Sequence, residues 1–184
     1  MKEALLLVDL QNDYFPGGKM ELNSSIGAVN NAAIVLEKFR NKQLPIIHIQ
    51  HISVHPTATF FLPDTDGINI HIAVAPLPGE QIFQKNFPNS FCRTPLLNYL
   101  RENNIKKLYI CGMMTHMCID ATTRAAFDYE FECIVINNAC TTKALTFNGQ
   151  TVPAEHVQNA FMAALGSVYA KIYPADKVID IINS

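Results

Sequence analysis

The segment 107–129, KLYICGMMTHMCIDATTRAAFDY, contains the strand-to-helix turn that decides the fold. Its first residues, Lys107–Gly112, are largely apolar and predict a strand. Residues 116–129 predict a helix, which follows after a short turn. Parallel strands need such a helix between them, because the chain must cross back over the sheet before the next strand can form. The segment therefore predicts one unit of an α/β fold with a parallel sheet.

The same alternation of strand and helix continues on both sides of this segment. Short apolar runs predict strands at Ala4–Val8, Ile46–Ile49, Gln81–Gln84 (the weakest), Cys133–Ile136 and Val168–Tyr173. Three further helices are predicted. The first is capped by Ser24 or Ser25 and has apolar residues at helical spacing, Ile26, Val29, Ala33, Leu36 and Phe39. The second is a short helix over Pro95–Arg101, and the third is marked by the apolar stripe Val157, Ala160, Phe161, Ala164 and Leu165. Together they predict a three-layer αβα fold, a Rossmann-like open sheet of about six mainly parallel strands with helices on both faces. Residues 1–184 are expected to form a single domain.

The composition favours a packed domain and argues against several classes of partner. Apolar residues make up 49% of the chain, charged residues 16%, and the formal net charge is -2. Lys and Arg are scattered, so no basic stripe is available for nucleic acid and no polybasic segment for a membrane. No apolar run is long enough to span a bilayer. The five cysteines lack the spacing of a disulfide framework and no export signal is recognisable, which predicts reduced thiols and a cytoplasmic location.

Three chemically useful side chains follow the predicted strands. In open parallel sheets, ligands bind beyond the carboxyl ends of the strands, where Asp9, Lys85 and Cys118 lie. With Thr115 as the N-cap, Cys118 takes the third helical position, where the helix dipole favours a thiolate and free amides can hold an oxyanion. Each residue alone also fits a purely structural role: Asp9 as a capping acid, Lys85 as a solvated surface lysine and Cys118 as a packed core cysteine. Their common placement favours a catalytic site.

Three motifs carry a family resemblance along nearly the whole chain. The stretches ALLLVDLQNDYFPGG (4–18), KNFPNSF (85–91) and GMMTHMCIDATTRAAFDYEF (112–131) resemble the ordered motifs of the isochorismatase-like cysteine hydrolases, which include nicotinamidases and N-carbamoylsarcosine amidases. The resemblance implies that Asp9, Lys85 and Cys118 form a catalytic triad. It also implies an oxyanion hole from the backbone amides of Met114 and Cys118, opened by a cis peptide between Met113 and Met114.

The resemblance implies a hydrolase of a small-molecule substrate. The leading expectation is cleavage of a small amide, ureido or carbamoyl compound through a thioester acyl-enzyme on Cys118. An isochorismatase-type vinyl ether hydrolase and a non-catalytic binding protein on the same fold are the alternatives. Relatives commonly form dimers or tetramers, so a homo-oligomer is expected.

The chain departs from the nicotinamidase pattern after the second strand. Nicotinamidases carry a metal-binding Asp-x-His pair where this chain has His51-Ile52-Ser53, and they tend to have Asp in place of His116. The remaining loop histidines, His55 and His71, do not complete a usual ligand set, so no metal and no cofactor is expected. Nicotinamide is therefore disfavoured as the substrate.

The substrate pocket is the least determined part of the prediction. The segment 50–79 predicts a long loop, which in a compact domain is more often functional than idle. Phe15, Phe60 and Phe61 are candidates for the walls of a small pocket, with Gln11 and His116 as polar contacts. Ordinary loop packing explains the aromatic residues equally well.

Overall fold

The computed structural model describes residues 2–183. Eight strands form, at Lys2–Val8 (β1), Ile46–His51 (β2), Gln81–Lys85 (β3), Ile105–Met113 (β4), Glu132–Thr141 (β5), Leu145–Phe147 (β6), Gln150–Val152 (β7) and Lys171–Tyr173 (β8). The α-helices are Ser25–Asn41 (α1), Leu96–Glu102 (α2), Asp120–Asp128 (α3), Ala154–Val168 (α4) and Ala175–Asn183 (α5).

Six of the strands make one parallel sheet in the order β3-β2-β1-β4-β5-β8. Helices α1 and α5 pack against each other, as do α3 and α4, while α1 and α3 both contact β5. Right-handed crossovers place these two pairs on opposite faces of the sheet. The predicted three-layer αβα fold is therefore confirmed. The apolar run of β1 is explained by its central position, where both faces are covered and Ala4–Val8 is almost fully buried.

Gly112 allows β1 and β4 to approach each other closely at the carboxyl edge of the sheet. Its φ is +132°, which residues with a side chain rarely adopt. A Cβ at this position would lie 1.9 Å from the carbonyl oxygen of Val8. The glycine of the third motif is thus required by the sheet, directly before the turn that carries Cys118.

The C-terminal third of the chain differs most from the prediction. The strand predicted over Val168–Tyr173 is shorter, because α4 continues through Val168 and β8 starts only at Lys171. As a partly exposed edge strand of three residues, β8 has no continuous apolar run to mark its start. Helix α5 and the β6–β7 hairpin were not predicted, although α5 buries Ala175, Val178 and Ile182 at helical spacing.

Two further local features position the loops around the sheet. Ser24 precedes α1 as predicted, but its backbone is left-handed (φ 57°) and its side chain makes no capping hydrogen bond. The long loop after β2 contains only short 3-10 turns at Asp66–Ile68 and Ile72–Val74, and Ile70 pairs with Gln11 in an isolated bridge. Within residues 2–183, no helix has both the length and the apolar character needed to cross a bilayer.

Candidate active site

The strand register places Asp9 between the ends of two neighbouring strands. Val8 pairs with Ile49 of β2 on one side and with Gly112 of β4 on the other. Asp9 is the next residue, with a left-handed backbone (φ 53°) and an N–H that donates to the carbonyl oxygen of Ile49. It is fully buried. A buried carboxylate needs a partner of opposite charge, which comes from β3.

Lys85 joins the side chains of this edge into one cluster. It ends β3 and pairs in register with His51, which ends β2. Its Nζ lies 2.8 Å from Oδ2 of Asp9 and 3.2 Å from Sγ of Cys118. It also lies 3.1 Å from Nδ1 of His51 and 3.0 Å from the carbonyl oxygen of Phe87. One ammonium group therefore has three hydrogen-bond acceptors, among them Cys118, and forms an ion pair with Asp9.

The charges in this cluster determine which group carries the proton at rest. Burial alone would lower the pKa of Lys85, but the charges of Asp9 and Cys118 outweigh it and raise that pKa. Burial, and then the charge of Asp9, raise the pKa of the Cys118 thiol, and Lys85 offsets this only in part. The resting site therefore holds an ammonium and a thiol. Burial and the charge of Asp9 thus oppose the thiolate that the helix start favours, whereas Lys85 supports it.

Cys118 lies in a single π-helical turn that leads into α3. The turn spans Thr115–Ile119, and Met114 precedes its first residue. The predicted Thr115 cap is therefore wrong, and Cys118 is the fourth residue of the helical segment. The Thr115 hydroxyl donates instead to Oε1 of Gln158, 2.6 Å away on α4. The conformation of the turn thus depends on a helix that is distant in sequence but adjacent in space, and a local capping pattern does not reveal this contact.

The backbone before Cys118 presents a free donor to the site. The peptide bond between Met113 and Met114 is cis. The Met114 N–H donates to no acceptor among the residues that the structure describes. It lies at the start of the turn that carries Cys118, so it is available to a ligand bound at the thiol.

Gln11, a predicted substrate contact, is occupied by protein groups. Its Nε2 donates to the carbonyl oxygens of His51 and Ile68, both at 2.9 Å, and its Oε1 accepts the N–H of His51 at 2.7 Å. Both protons of the Gln11 side-chain amide are thus donated to carbonyl oxygens of the protein. Gln11 thereby fixes the backbone of His51 at the end of β2 and ties the long loop to β1.

Aromatic side chains close the site on the side of the long loop. Tyr14, with 2% of its surface exposed, packs edge-on against Phe61 with ring centroids 4.7 Å apart. Phe61 in turn lies 5.8 Å from the ring of His51. Burial, followed by the charges of Cys118 and Asp9, raises the pKa of the Tyr14 phenol well above its usual value. Tyr14 therefore remains a neutral phenol.

Two other predicted pocket residues line a cavity that the predicted triad does not line. Phe15 and Phe60 line a cavity of about 460 Å³, together with Lys19 and His71, and Phe15 stacks on His71 with centroids 3.9 Å apart. The residues that line this cavity do not include Asp9, Lys85 or Cys118.

His116 is in the same π-helical turn as Cys118 but faces different elements. Its Nδ1 is hydrogen-bonded to Oγ1 of Thr142, and its ring lies edge-on to Phe161. Burial, and then the nearby Lys143 charge, lower the pKa of His116. It is therefore neutral at neutral pH.

The residues that could hold a metal ion surround the ammonium of Lys85. Within residues 2–183, the one such group of three comprises Asp9, His51 and Cys118, whose ligand atoms lie within 4.8 Å of one another. Because Lys85 Nζ contacts all three, its positive charge occupies the position that a cation would take. His55 is exposed and bonded to Thr57, outside this group. This arrangement does not fit a metal.

Two residues of the site escaped sequence reasoning. His51 was noted only as a departure from a metal-binding pattern, and Tyr14 was not singled out. His51 had a usable signal, because it ends the predicted strand next to Asp9. Tyr14 had none, since its position depends on how the loop after β1 folds against Phe61.

Comparisons with known proteins identify the family and agree with the fold. The family model for the isochorismatase domain matches residues 3–168. The uncharacterized isochorismatase family protein YddQ of Bacillus subtilis is 49% identical over 172 residues, which cover 94% of this chain and 96% of that protein. A streptothricin hydrolase of Streptomyces noursei is 28% identical over 167 residues, covering 89% of this chain and 65% of that enzyme.

A solved structure extends the likeness to three dimensions. The crystal structure of an Oleispira antarctica protein assigned as an isochorismatase hydrolase superimposes with a TM-score of 0.94 at 48% identity. The match covers 97% of this chain and 96% of that one. The similarity therefore includes all three motifs and the strands that position them.

Proposed function

The chain belongs to the isochorismatase family of hydrolases, and from that premise we propose that it hydrolyses a small amide, ureido or carbamoyl compound through a thioester on Cys118. The observation that carries the proposal is the position of Lys85 Nζ, within 3.2 Å of both Asp9 Oδ2 and Cys118 Sγ. A base, a cation and a thiol in mutual contact are the components that an activated sulfur nucleophile needs.

The first half of the reaction uses Asp9 as a proton carrier. Asp9 accepts the thiol proton while Sγ bonds to the substrate carbonyl carbon, and Lys85 balances the charge of the sulfur. The carbonyl electrons move to oxygen, where the N–H groups of Met114 and Cys118 stabilise the oxyanion. When the carbonyl reforms, the C–N bond breaks. The proton on Asp9 passes to the leaving nitrogen, and ammonia or an amine departs from the thioester.

The second half returns the site to its starting state. Asp9, ionised again, removes a proton from the water that attacks the thioester carbonyl. Collapse of this second intermediate expels the Cys118 sulfur, which regains a proton from Asp9. The acid product then leaves. Each proton that Asp9 accepts is passed on, so the cycle needs no other reagent than water.

Acyl transfer is favoured over vinyl ether hydrolysis because the thiol is built into the cluster. Hydrolysis of a vinyl ether proceeds by protonation and does not need a nucleophilic sulfur, whereas thioester formation does. The position of Cys118 beside both a base and a cation supports thioester formation. The streptothricin hydrolase among the relatives is itself a hydrolase of a small molecule.

Ammonia release from a panel of primary amides and carbamoyl compounds tests the proposal. We expect Cys118→Ala to lower the rate on any substrate found by at least about a thousandfold, because no other nucleophile contacts Asp9 and Lys85. Cys92→Ala is the matched control, since Cys92 is a free, partly exposed cysteine outside the site and its loss should leave the rate unchanged. Turnover that survives Cys118→Ala would overturn the cysteine mechanism.

A further inference from the structure

We infer that His51 determines substrate specificity: its Nε2–H donates a hydrogen bond to a second acceptor on the substrate, beside the carbonyl that Cys118 attacks. The substrate class is thereby narrowed to compounds with two neighbouring carbonyl or ureido oxygens. This inference rests on the proposed function, and it identifies the residue that selects among the amides.

Lys85 fixes the tautomer of His51. Its ammonium group has only N–H donors, and it lies 3.1 Å from Nδ1 of His51. The Nδ1 atom must therefore present its lone pair. Because a protonated ring would place a second cation against Lys85, the ring is neutral and carries its single proton on Nε2.

The Nε2–H of His51 has no partner within the protein. Among residues 2–183, no hydrogen-bond acceptor meets it, whereas Nδ1 of the same ring is bonded to Lys85. The Nε2 atom of His51 is also not fully enclosed by protein. It differs in this from Nδ1 of His48, which likewise has no hydrogen-bond partner but is fully buried. A donor in a largely buried site that lacks a protein acceptor is satisfied by water or by a ligand.

The ring is held close to the nucleophile and cannot easily turn away. A ring nitrogen of His51 lies within 4.8 Å of both Cys118 Sγ and the Asp9 carboxylate. Both backbone polar groups of His51 are bonded to Gln11, and Phe61 packs 5.8 Å from the ring. Nδ1 faces Lys85 and Nε2 belongs to the same small ring, so a molecule a few bonds long that is bonded to Sγ can reach the Nε2–H.

The charge balance of the cluster favours an uncharged acceptor. The positive charge of Lys85 is already paired with Asp9, and His51 itself is neutral. A second carboxylate on the substrate would face Asp9 without a free cation to compensate it. A carbonyl or ureido oxygen accepts the Nε2–H at no such cost.

The experiment compares malonamide, which has a second carbonyl, with butyramide, which has methylene carbon in its place. We expect the wild-type protein to prefer malonamide in kcat/KM by about fivefold, the effect of one neutral hydrogen bond. His51→Asn keeps an acceptor toward Lys85 but removes the Nε2–H. It should lower kcat/KM for malonamide about fivefold more than for butyramide, through a higher KM for malonamide, because a general defect of the site would affect both amides alike.

Controls separate this inference from the proposed function. His55→Asn changes an exposed histidine outside the cluster and should retain the preference. Cys118→Ala must abolish release from both amides, and if it does not, the cysteine mechanism fails while the His51 comparison still stands. If neither amide is turned over, protection of Cys118 from iodoacetamide by each compound gives the same comparison as binding. A preference or a difference in protection that survives His51→Asn overturns the inference.

The tautomer itself has a spectroscopic test that needs no substrate. The 13Cδ2 chemical shift of a neutral histidine differs between the two tautomers, and the His51 signal is assigned by its loss in His51→Asn. At neutral pH we expect the Nε2–H form. A signal typical of the Nδ1–H form, or of a protonated ring, would overturn the inference whatever the enzyme hydrolyses.

Discussion

Nζ of Lys85 lies 2.8 Å from Oδ2 of Asp9, and both side chains are completely excluded from solvent. The two charges come from different strands, β3 and β1, with β2 between them. An ion pair of this kind is costly to desolvate, and its members tolerate burial only together. The pair is therefore both a structural element of the sheet edge and the central contact of the proposed active site.

Removal of both partners should destabilise the fold less than the sum of the two single removals. We expect Lys85→Met to lower the free energy of unfolding by about 3–5 kcal/mol, because Asp9 is left as an uncompensated buried charge. The double variant Asp9→Asn/Lys85→Met should lose clearly less than the sum of the single changes. Urea denaturation measures all three. Lys171→Met is the control, since that lysine forms an exposed pair with Glu132, and purely additive losses at Asp9 and Lys85 would contradict the coupling.

Asp9→Asn should make the thiol easier to ionise while it stops turnover. Burial and the charge of Asp9 raise the pKa of Cys118 and the charge of Lys85 lowers it, so loss of the carboxylate removes one opposing contribution and keeps the favourable cation. We expect iodoacetamide to alkylate Cys118 at lower pH in the variant than in the wild-type protein. Amide hydrolysis should be abolished, because the variant lacks the carboxylate that accepts the thiol proton. The pH profile of labelling, read by peptide mass spectrometry, checks this. A profile displaced to higher pH would show that Asp9 does not oppose the thiolate.

The parts of the site that the sequence predicts are those fixed by strand ends. Asp9, Lys85 and Cys118 each follow a strand, and parallel strands end at the same edge, so their proximity follows from the topology. The contact between His51 and Lys85 depends in addition on the register of β2 and β3 and on the reach of a lysine side chain. Local patterns do not contain either quantity.

The errors have a common physical origin. The Thr115 cap failed because Gln158, more than forty positions along the chain, takes the threonine hydroxyl. The helix dipole that favours a thiolate at Cys118 is likewise a local effect, whereas the burial that opposes the thiolate is a property of the whole fold. Propensity rules describe neighbours in sequence, and both of these outcomes depend on neighbours in space.

Gly112→Ala should prevent normal packing of the sheet edge. A Cβ would lie 1.9 Å from the Val8 carbonyl oxygen and the backbone has φ +132°, so β1 and β4 would have to separate. We expect a loss of at least about 4 kcal/mol in unfolding free energy or failure to fold, measured by thermal and urea denaturation. Gly27→Ala is the matched control, because the Cβ meets nothing within 4 Å on helix α1. It should stabilise the protein by about 0.5–1 kcal/mol, and equal effects at the two glycines would contradict the clash.

Glu80 should account for a distinct part of the acid sensitivity of the fold. Its carboxylate accepts hydrogen bonds from Arg40, from the N–H of Leu77 and from His48. Burial alone would raise the pKa of Glu80, but Arg40 and the other donors lower it from 4.5 to about 2. These bonds join α1 and β2 to the end of the long loop, so the carboxylate stabilises the connection that leads into β3.

The sign of the pH effect follows from the lowered pKa. The unfolded chain takes up a proton near pH 4.5 and the folded chain only near pH 2, so the contribution of Glu80 is complete above 4.5 and is lost as the pH falls toward 2. Between pH 5 and pH 3 we expect the wild-type protein to lose about 2 kcal/mol more unfolding free energy than Glu80→Gln, measured by urea denaturation at each pH. Burial also lowers the pKa of His48, so the comparison is repeated in a His48→Asn background to separate its protonation. Parallel losses in the wild type and in Glu80→Gln would mean that Glu80 is not the group that titrates.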